Sequence, residues 1–600
     1  MNRRNLLKGI AAGLVQSVAW RNLPALGRPN VFASRRIRPS DPEWPKADSW
    51  EKLKQAVEGN LLRPKQLLSP CQDEPKAAAC ADLMKNLRNP FYLGDQASGT
   101  QISGWLDAWT PAASAYAVAA RNTSHVAAAV NFAREHNLRL VVKGAGHSYL
   151  GTSNAPDSLL VWTRLMNKVT LHDAFVGQGC EGKFAPVAAV TAESGAVWID
   201  LYNAVTGQAG RYVQGGGCAD VGVAGLVQSG GFGSFSKGFG SAAASLLEAE
   251  VVTADGAIRV ANACRNPDLF WAIKGGGGGS WGVVTKVTLR THTLPQFFGG
   301  AVGKIKANSD NAFKRLISRF VDFYAQNLFN SHWGEQIALA PDNTLKLLMV
   351  CQGLNAQEIK QTWQPFFDWV NSDSEFVVTD KFNSGAREAR HWWEVEGNNS
   401  MIADQREGAP KHHGWWRGDQ DQVGAFIHGY ESLWLPASLL QEKAQTRFCE
   451  TLFAASRHKK LELHFNKGLA GAPAEASAAA RDTATNPAVL DAFVLVIIAD
   501  GERPSFPGLT RPAMDLDAAH KDAREIDNAA DQLRRLVPNA GSYVSESNYF
   551  NRSWQEAYWG TNYSKLQAIK KKYDPEGLFF VHHGVGSEEW SADGFTRLKR

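Results

Sequence analysis

The chain has 600 residues, 44% of them hydrophobic and 20% charged, with a formal net charge of +5. That length exceeds one ordinary core and implies two or three domains. The composition is globular, and so small a net charge gives no case for a nucleic-acid partner.

The first residues, MNRRNLLKGIAAGLVQSVAW, place Arg3 and Arg4 ahead of a short apolar run broken by Lys8, Gly9, Gly13 and Gln16. They look like a twin-arginine export signal, so residues 1–30 are read as a signal region. The expected protein is periplasmic or secreted, with no stable membrane span after signal removal. Next comes proline-rich coil, then a helical pattern in which Trp50, Leu53, Ala56 and Val57 share a face. None of the 7 Cys forms a CxxC pair, which argues against zinc or an iron–sulfur cluster. Cys71 and Cys80 read as a disulfide if the chain is exported; two unpaired thiols are the alternative. Thr123 and Ser124 offer an N-cap to a helix ending near Asn137, and residues 138–142 form a buried strand. Further strands are expected at 158–162, 188–191, 248–253 and 281–289, with a hairpin turn at Asp255-Gly256.

From about Gly300 the texture changes. Residues 308–327 and 355–371 have helical periodicity, with a strand at 345–350 between them, and Trp363, Trp369, Trp392, Trp393, Trp415, Trp416 and Trp434 gather here. This reads as a separate domain covering the substrate. The Ala/Gly/Pro-rich residues 469–480 read as a loop, and 493–498 as a buried strand. No internal repeat is present.

Two glycine-rich stretches carry the chemistry. Residues 141–151, VVKGAGHSYLG, centre on His147. Residues 211–240, RYVQGGGCADVGVAGLVQSGGFGSFSKGFG, hold Cys218 and one acid, Asp220. Glycine at this density lets backbone N–H groups press against a phosphate or a flat ring. The spacing is not a dinucleotide-binding Rossmann fingerprint, because His147-Ser148 follows the G-x-G and no ribose-binding acid stands at the right distance. His412-His413 and His582-His583 are read as structural or substrate-side. Adjacent residues on a strand face opposite ways, so no metal site is expected.

Together with Tyr558-Trp559-Gly560, Asn562-Tyr563, Leu566, Lys570 and Tyr573-Asp574-Pro575, these motifs resemble the berberine-bridge-enzyme-like branch of the vanillyl-alcohol-oxidase flavoproteins. The segment around Cys71 and Cys80 and the ending HHGVGSEEW are similar to isoamyl-alcohol-oxidase-like members. The resemblance implies an α+β fold. Two α+β subdomains of the PCMH type grip FAD, and a third domain with an antiparallel sheet covered by helices lies over the ring. The expected boundaries are 31–105 for an N-terminal extension, 106–293 for the FAD-binding domain, 294–540 for the substrate domain and 541–600 for a segment returning to the FAD domain.

The resemblance also implies roles. FAD would be bonded covalently through His147 and Cys218. Lys143, Gly144, Ala145, Gly146, Ser148 and Gly151 would hold the pyrophosphate. Gly222, Gly225, Gly230, Gly231 and Gly233 would shape the second wall, with Val284 on the adenine side. Val221, three after the cysteine, matches a position where a small side chain admits dioxygen, which favours an oxidase. A YxNY motif is replaced by Tyr543-Val544-Ser545-Glu546. Glu546 is therefore the expected base for the substrate hydroxyl, with Tyr549 as the alternate. The implied activity takes hydride from a small alcohol or sugar-type substrate to FAD and passes electrons to O2, giving H2O2. A dehydrogenase with another acceptor, or a flavin-retaining binding protein, is the alternative.

Overall fold

The structure is a computed structural model that describes residues 35–598. The twin-arginine reading at Arg3 and Arg4 lies outside the described residues. The fold is mixed α+β, built on three main sheets. The first has the order Leu61–Leu62, Tyr116–Ala119, Ser158–Trp162, Arg139–Lys143, parallel except at its first pair. The helix Thr123–Glu135 packs on it, and its N-cap is Asn122, whose side chain accepts from the His125 N–H; the expected caps fall inside the first turn. The helix Ala47–Ala56 joins the same core through Trp50 and Leu53, followed by Val57, while Ala56 is exposed.

The second sheet is antiparallel, in the order Ile258–Asn262, Leu246–Val252, Val283–Arg290, Val187–Glu193, Val169–Phe175. Gly256 has φ +77 and closes its expected hairpin. Cys71–Cys80 forms the expected disulfide. A second, Cys180–Cys264, spans 84 residues and has no local sequence signal.

The third sheet has eight strands: Phe376–Glu388, Phe297–Ala307, Thr344–Gln352, Trp333–Ala340, Leu461–His464, Ala492–Glu502, Phe426–Pro436 and Gly104–Trp105. All pairs are antiparallel except the last, where the end of the extension adds a parallel edge. Alternation decides what each face meets. Val494, Val496 and Ile498 pack with the helices Asp310–Phe323, Ala356–Asn371, Glu442–Ser456 and Leu516–Leu536. Leu495 and Ile497 turn the other way, toward Trp434, Phe232 and Tyr543. That second face meets the glycine-rich stretch, so the site forms between sheet and loops.

The loop expected at 469–480 contains the helix Ala474–Arg481. Pro473 stands at its N-cap, and the alanine-rich run that follows has the highest intrinsic helix propensity. At the C-terminus, the helix Tyr563–Tyr573 carries Lys570, whose buried ammonium donates to Asp574 at 2.6 Å and to the carbonyls of Phe579 and Ser280. Phe579 bridges Leu140 at the edge of the first sheet, the sheet whose strand Arg139–Lys143 leads into the His147 loop. No helix among the described residues is long and apolar enough to cross a membrane.

Candidate active site

Arg139–Lys143 delivers the His147 loop. The Lys143 ammonium turns away from it and donates to the carbonyls of Gln96, Ala97 and Gly99 at 2.5, 2.7 and 3.0 Å. Burial lowers its pKa to about 7. Only the backbone of Lys143 is left for a ligand. Ser148 Oγ accepts from the backbone and hydroxyl of Thr152, tying the loop to itself. Gly146 has φ +83, which the turn around His147 requires. Gly144 packs close to the Ser194 carbonyl, and a Cβ on Gly151 would lie 2.5 Å from the Trp109 ring.

The Cys218 loop rests on the short helix Trp198–Leu201. Trp198 N–H donates to the Val221 carbonyl at 3.1 Å and Ile199 N–H to the Ala219 carbonyl at 2.8 Å. Val221 is partly buried against the same core. Gly222 caps the helix Val223–Gln228 and touches Ala145; a Cβ there would stand 3.5 Å from the Ala145 nitrogen. The two glycine loops therefore meet. Gly231 and Gly233 are filled by protein, a Cβ on Gly233 falling 2.1 Å from the Gly215 carbonyl oxygen. Gly230 faces Thr485, whereas Gly225 has nothing within 4 Å. Val284 lies buried in the strand Val283–Arg290.

One contact joins the loops directly: His147 Nε2 lies 2.5 Å from Asp220 Oδ2. Asp220 is buried, two residues after Cys218. A carboxylate on Nε2 fixes the imidazole tautomer and leaves Nδ1 as the nitrogen with a lone pair. Cys218 is half-buried with a free thiol. Burial, then the nearby carboxylates of Asp419 and Asp220, push its pKa well above the ordinary value, so the protein alone keeps it as a thiol rather than the thiolate the chemistry needs.

The opposite wall comes from two strands, which carry Glu335 and Tyr430, and from the turns that carry Asp419, Lys467 and Glu546, with Tyr149 reaching across from the His147 loop. Asp419, which the sequence reading missed, sits beside Cys218 with Oδ2 buried and unpartnered. Burial and the Asp220 charge raise its pKa to about 7. Glu546 accepts two hydrogen bonds from Lys467 Nζ, at 2.7 and 2.6 Å. Tyr149 and Tyr430 stand 5.4 Å apart, and burial followed by the Glu546 charge pushes both phenols well above the usual value. Glu335 accepts from Ser234 and lies against Gly217. Tyr543 is buried against Phe232, its hydroxyl unpartnered. Tyr549 stacks on His582 at 3.8 Å, and its carbonyl contacts that ring.

Neither histidine pair lies on a strand, so the opposite-facing expectation fails for both. His582 and His583 occupy a turn with His583 at φ +54, and their rings stack 3.8 Å apart. His412 occupies a turn, with His413 just after it, and both rings point at Asp200.

The residues present fit FAD. Space is open at Gly225, the loops offer backbone N–H groups, and Gln101 Oε1, on a side chain bonded to the Ala145 carbonyl, is buried with no partner. An FAD binding domain family matches residues 114–262, and a berberine and berberine-like family matches residues 528–586. The VAO-type flavoprotein oxidase VAO615 of Thermothelomyces thermophilus is 28% identical over 95% of this chain and 96% of its own. The FAD-linked oxidoreductase easE of Arthroderma benhamiae is 30% identical over 80% of this chain and 90% of its own. Among solved structures, the VAO-type flavoprotein MtVAO615 from Myceliophthora thermophila C1 superposes with a TM-score of 0.77 at 25% identity, covering 94% of this chain and 99% of that one. The glucooligosaccharide oxidase of Acremonium strictum, described with a 6-S-cysteinyl, 8α-N1-histidyl FAD, shares the fold at a TM-score of 0.59 and 20% identity, over 79% of this chain and 92% of that one. With loops and sheets in place, the chain belongs to the berberine-bridge-like FAD-linked oxidoreductases of the vanillyl-alcohol-oxidase superfamily.

Proposed function

We propose that this oxidoreductase is an exported oxidase with FAD bonded covalently to His147 and Cys218. Its substrate is a small alcohol or sugar-type molecule, and O2 is the final acceptor, giving H2O2. The observation that carries this reading is the 2.5 Å contact between His147 Nε2 and Asp220 Oδ2. It places both nucleophile-bearing loops on one wall and leaves His147 Nδ1 free for bonding. FAD, when bound, supplies a two-electron acceptor for the carbon that loses its hydrogen. The backbone from Lys143 to Ser148, with Gly222 and Gly225, would hold its pyrophosphate side. Val221 is compact enough to leave dioxygen access. The two disulfides suit an oxidising compartment and support export.

The substrate hydroxyl proton passes to Glu546. Tyr149 and Tyr430, kept protonated, donate hydrogen bonds that orient that hydroxyl toward the carboxylate. Tyr549, stacked on His582, borders the same aromatic cluster as Trp105. A second reading has its own support. Both Glu546 oxygens are already occupied by Lys467 Nζ, whereas Asp419, its pKa raised to about 7, has an unpartnered oxygen beside Cys218.

Acid precipitation tests the attachment. The yellow colour should stay with the pellet, and digestion should give one flavin linked to peptides containing His147 and Cys218. His147→Ala should leave attachment through sulfur alone. Colour released wholly into the supernatant from the wild-type protein would refute the covalent reading. Anaerobic bleaching with alcohols and sugars, followed by reoxidation in air, separates oxidase from dehydrogenase: sluggish recovery in air favours another acceptor, and no bleaching favours a binding protein.

A further inference from the structure

Behind the Cys218 wall, three side chains from two distant parts of the chain converge. His412 Nε2 lies 2.9 Å and His413 Nε2 3.0 Å from Asp200 Oδ1, and the three ligand atoms all fall within 4.8 Å of one another. We propose that Asp200, His412 and His413 form a binding site for one divalent transition-metal ion, of the class of Zn2+ or Co2+, that clasps the turn before Gly414–Trp416 to the FAD-binding layer.

The donor set is right for such an ion: two imidazole nitrogens and one carboxylate oxygen, with neither the all-oxygen shell of Ca2+ or Mg2+ nor the thiolates of a cluster. The spacing is right as well. Bonds of roughly 2.0–2.1 Å put neighbouring ligand atoms about 2.9 Å apart at right angles and about 3.4 Å apart in a tetrahedron. The two nitrogen-to-oxygen separations, 2.9 and 3.0 Å, match the first and reach the second by a shift of a few tenths of an ångström, and the two nitrogens lie within 4.8 Å of each other.

The ligands are also held in place. Asp200 Oδ2 accepts the Val197 N–H at 3.1 Å, and its helix is fixed to the Cys218 loop by the Trp198 and Ile199 bonds. His413 is buried and stacked on Phe91 at 4.3 Å. His412 is partly exposed, which leaves solvent to fill the remaining positions. One feature limits affinity: His413 Nδ1 is buried with no partner. Its proton in the metal-bound tautomer has no acceptor, and losing such an outer partner weakens a site by about 10–100-fold.

The ion would act on the arm rather than on substrate. Trp416 Nε1 donates to the Gly217 carbonyl at 3.0 Å, and Asp419 follows three residues later. A metal joining Asp200 to His412 and His413 would fasten the arm that brings Asp419 to Cys218.

The test uses the flavin-loaded protein without a histidine tag, stripped with EDTA and titrated with Zn2+ alone. The expected result is one equivalent bound per chain by elemental analysis and calorimetry, with a raised melting temperature. His412→Gln, at a partly exposed position, should melt like the stripped wild type and lose the equivalent. His391→Gln should keep it, although His391 lies near Glu388 and Glu394. If the wild type takes up no stoichiometric Zn2+, or His412→Gln retains it, the trio is a hydrogen-bonded latch and the metal site is refuted.

Discussion

The two walls of the site are made of different material. The glycine loops around His147 and Cys218 are backbone, drawn from two continuous stretches. The facing wall is side chain: Glu335, Asp419, Tyr430, Lys467 and Glu546, gathered from five separated segments of the substrate domain and C-terminal region. A backbone wall is fixed by local conformation and shows in the sequence as a motif. A side-chain wall is fixed by tertiary packing, here of two strand residues, Glu335 and Tyr430, with Asp419, Lys467 and Glu546 on the turns around them, and no single stretch of sequence records it. The first wall suits a cofactor whose shape is constant. The second can change residue by residue while the sheet stays the same, which is where substrate choice can vary.

The largest expected effects fall on the side-chain wall. If Glu546 accepts the proton, Glu546→Gln should lower kcat by about 10²–10⁴-fold with the flavin still attached. The pH profile decides between it and Asp419. If Asp419 is the base, kcat should rise with pH through about 7, because its deprotonated form is the active one. Asp419→Asn should then remove that rise. The same substitution has a stability signature of known sign. The Asp419 pKa is raised on folding, from 3.8 to about 7, so the folded state binds the extra proton and loses stability as pH climbs through that window. Asp419→Asn should therefore stabilise the protein at pH 8 and not at pH 4, by at most about 4 kcal/mol at 1.4 kcal/mol per unit. Denaturant melts at the two pH values measure it, and equal shifts at both would remove Asp419 as a strained acid.

Intermediate effects belong to the backbone wall, and two glycines separate its structural and cofactor-facing parts. Gly233→Ala drives a Cβ to 2.1 Å from the Gly215 carbonyl oxygen, where rigid backbone must move. A cost of about 1–3 kcal/mol and loss of the Cys218 loop geometry are expected, read as a lower melting temperature in the flavin-free protein. Gly225→Ala meets nothing within 4 Å and lies in the helix Val223–Gln228, so the flavin-free protein should melt no lower and gain up to about 1 kcal/mol of helix propensity. Its only loss should be weaker flavin loading. If both substitutions destabilise alike, the open space at Gly225 is not a cofactor cradle.

Legibility in the sequence followed the same division. The motifs around His147 and Cys218 stand out in the sequence because each is local, as do Lys570 and Tyr573-Asp574 near the C-terminus. Cys180–Cys264 was not, because its halves are 84 residues apart with no spacing signal. Asp419 lay in an unremarkable RGD, and only its burial beside Cys218 singles it out. The paired histidines misled because a strand was assumed where the chain turns. Asp220 was visible as the lone acid in its stretch, and that isolation could have marked it as the partner of His147.

The smallest expected effect concerns residues 469–480, where composition pointed the wrong way. Gly471 and Pro473 suggested a loop, but Pro473 sits at the N-cap, where its fixed φ and missing N–H cost a helix nothing. The helix that follows buries only Ala476 and Ala480, so packing contributes little and alanine propensity carries much of its stability. Ala478 is exposed on that helix, and Ala478→Gly should cost about 1 kcal/mol with no change in activity. Hydrogen exchange at the amides of residues 478–481 would locate the loss. If exchange there is already fast in the wild type and glycine changes nothing, the segment is the loop its composition suggested, and propensity does not hold this edge of the substrate domain.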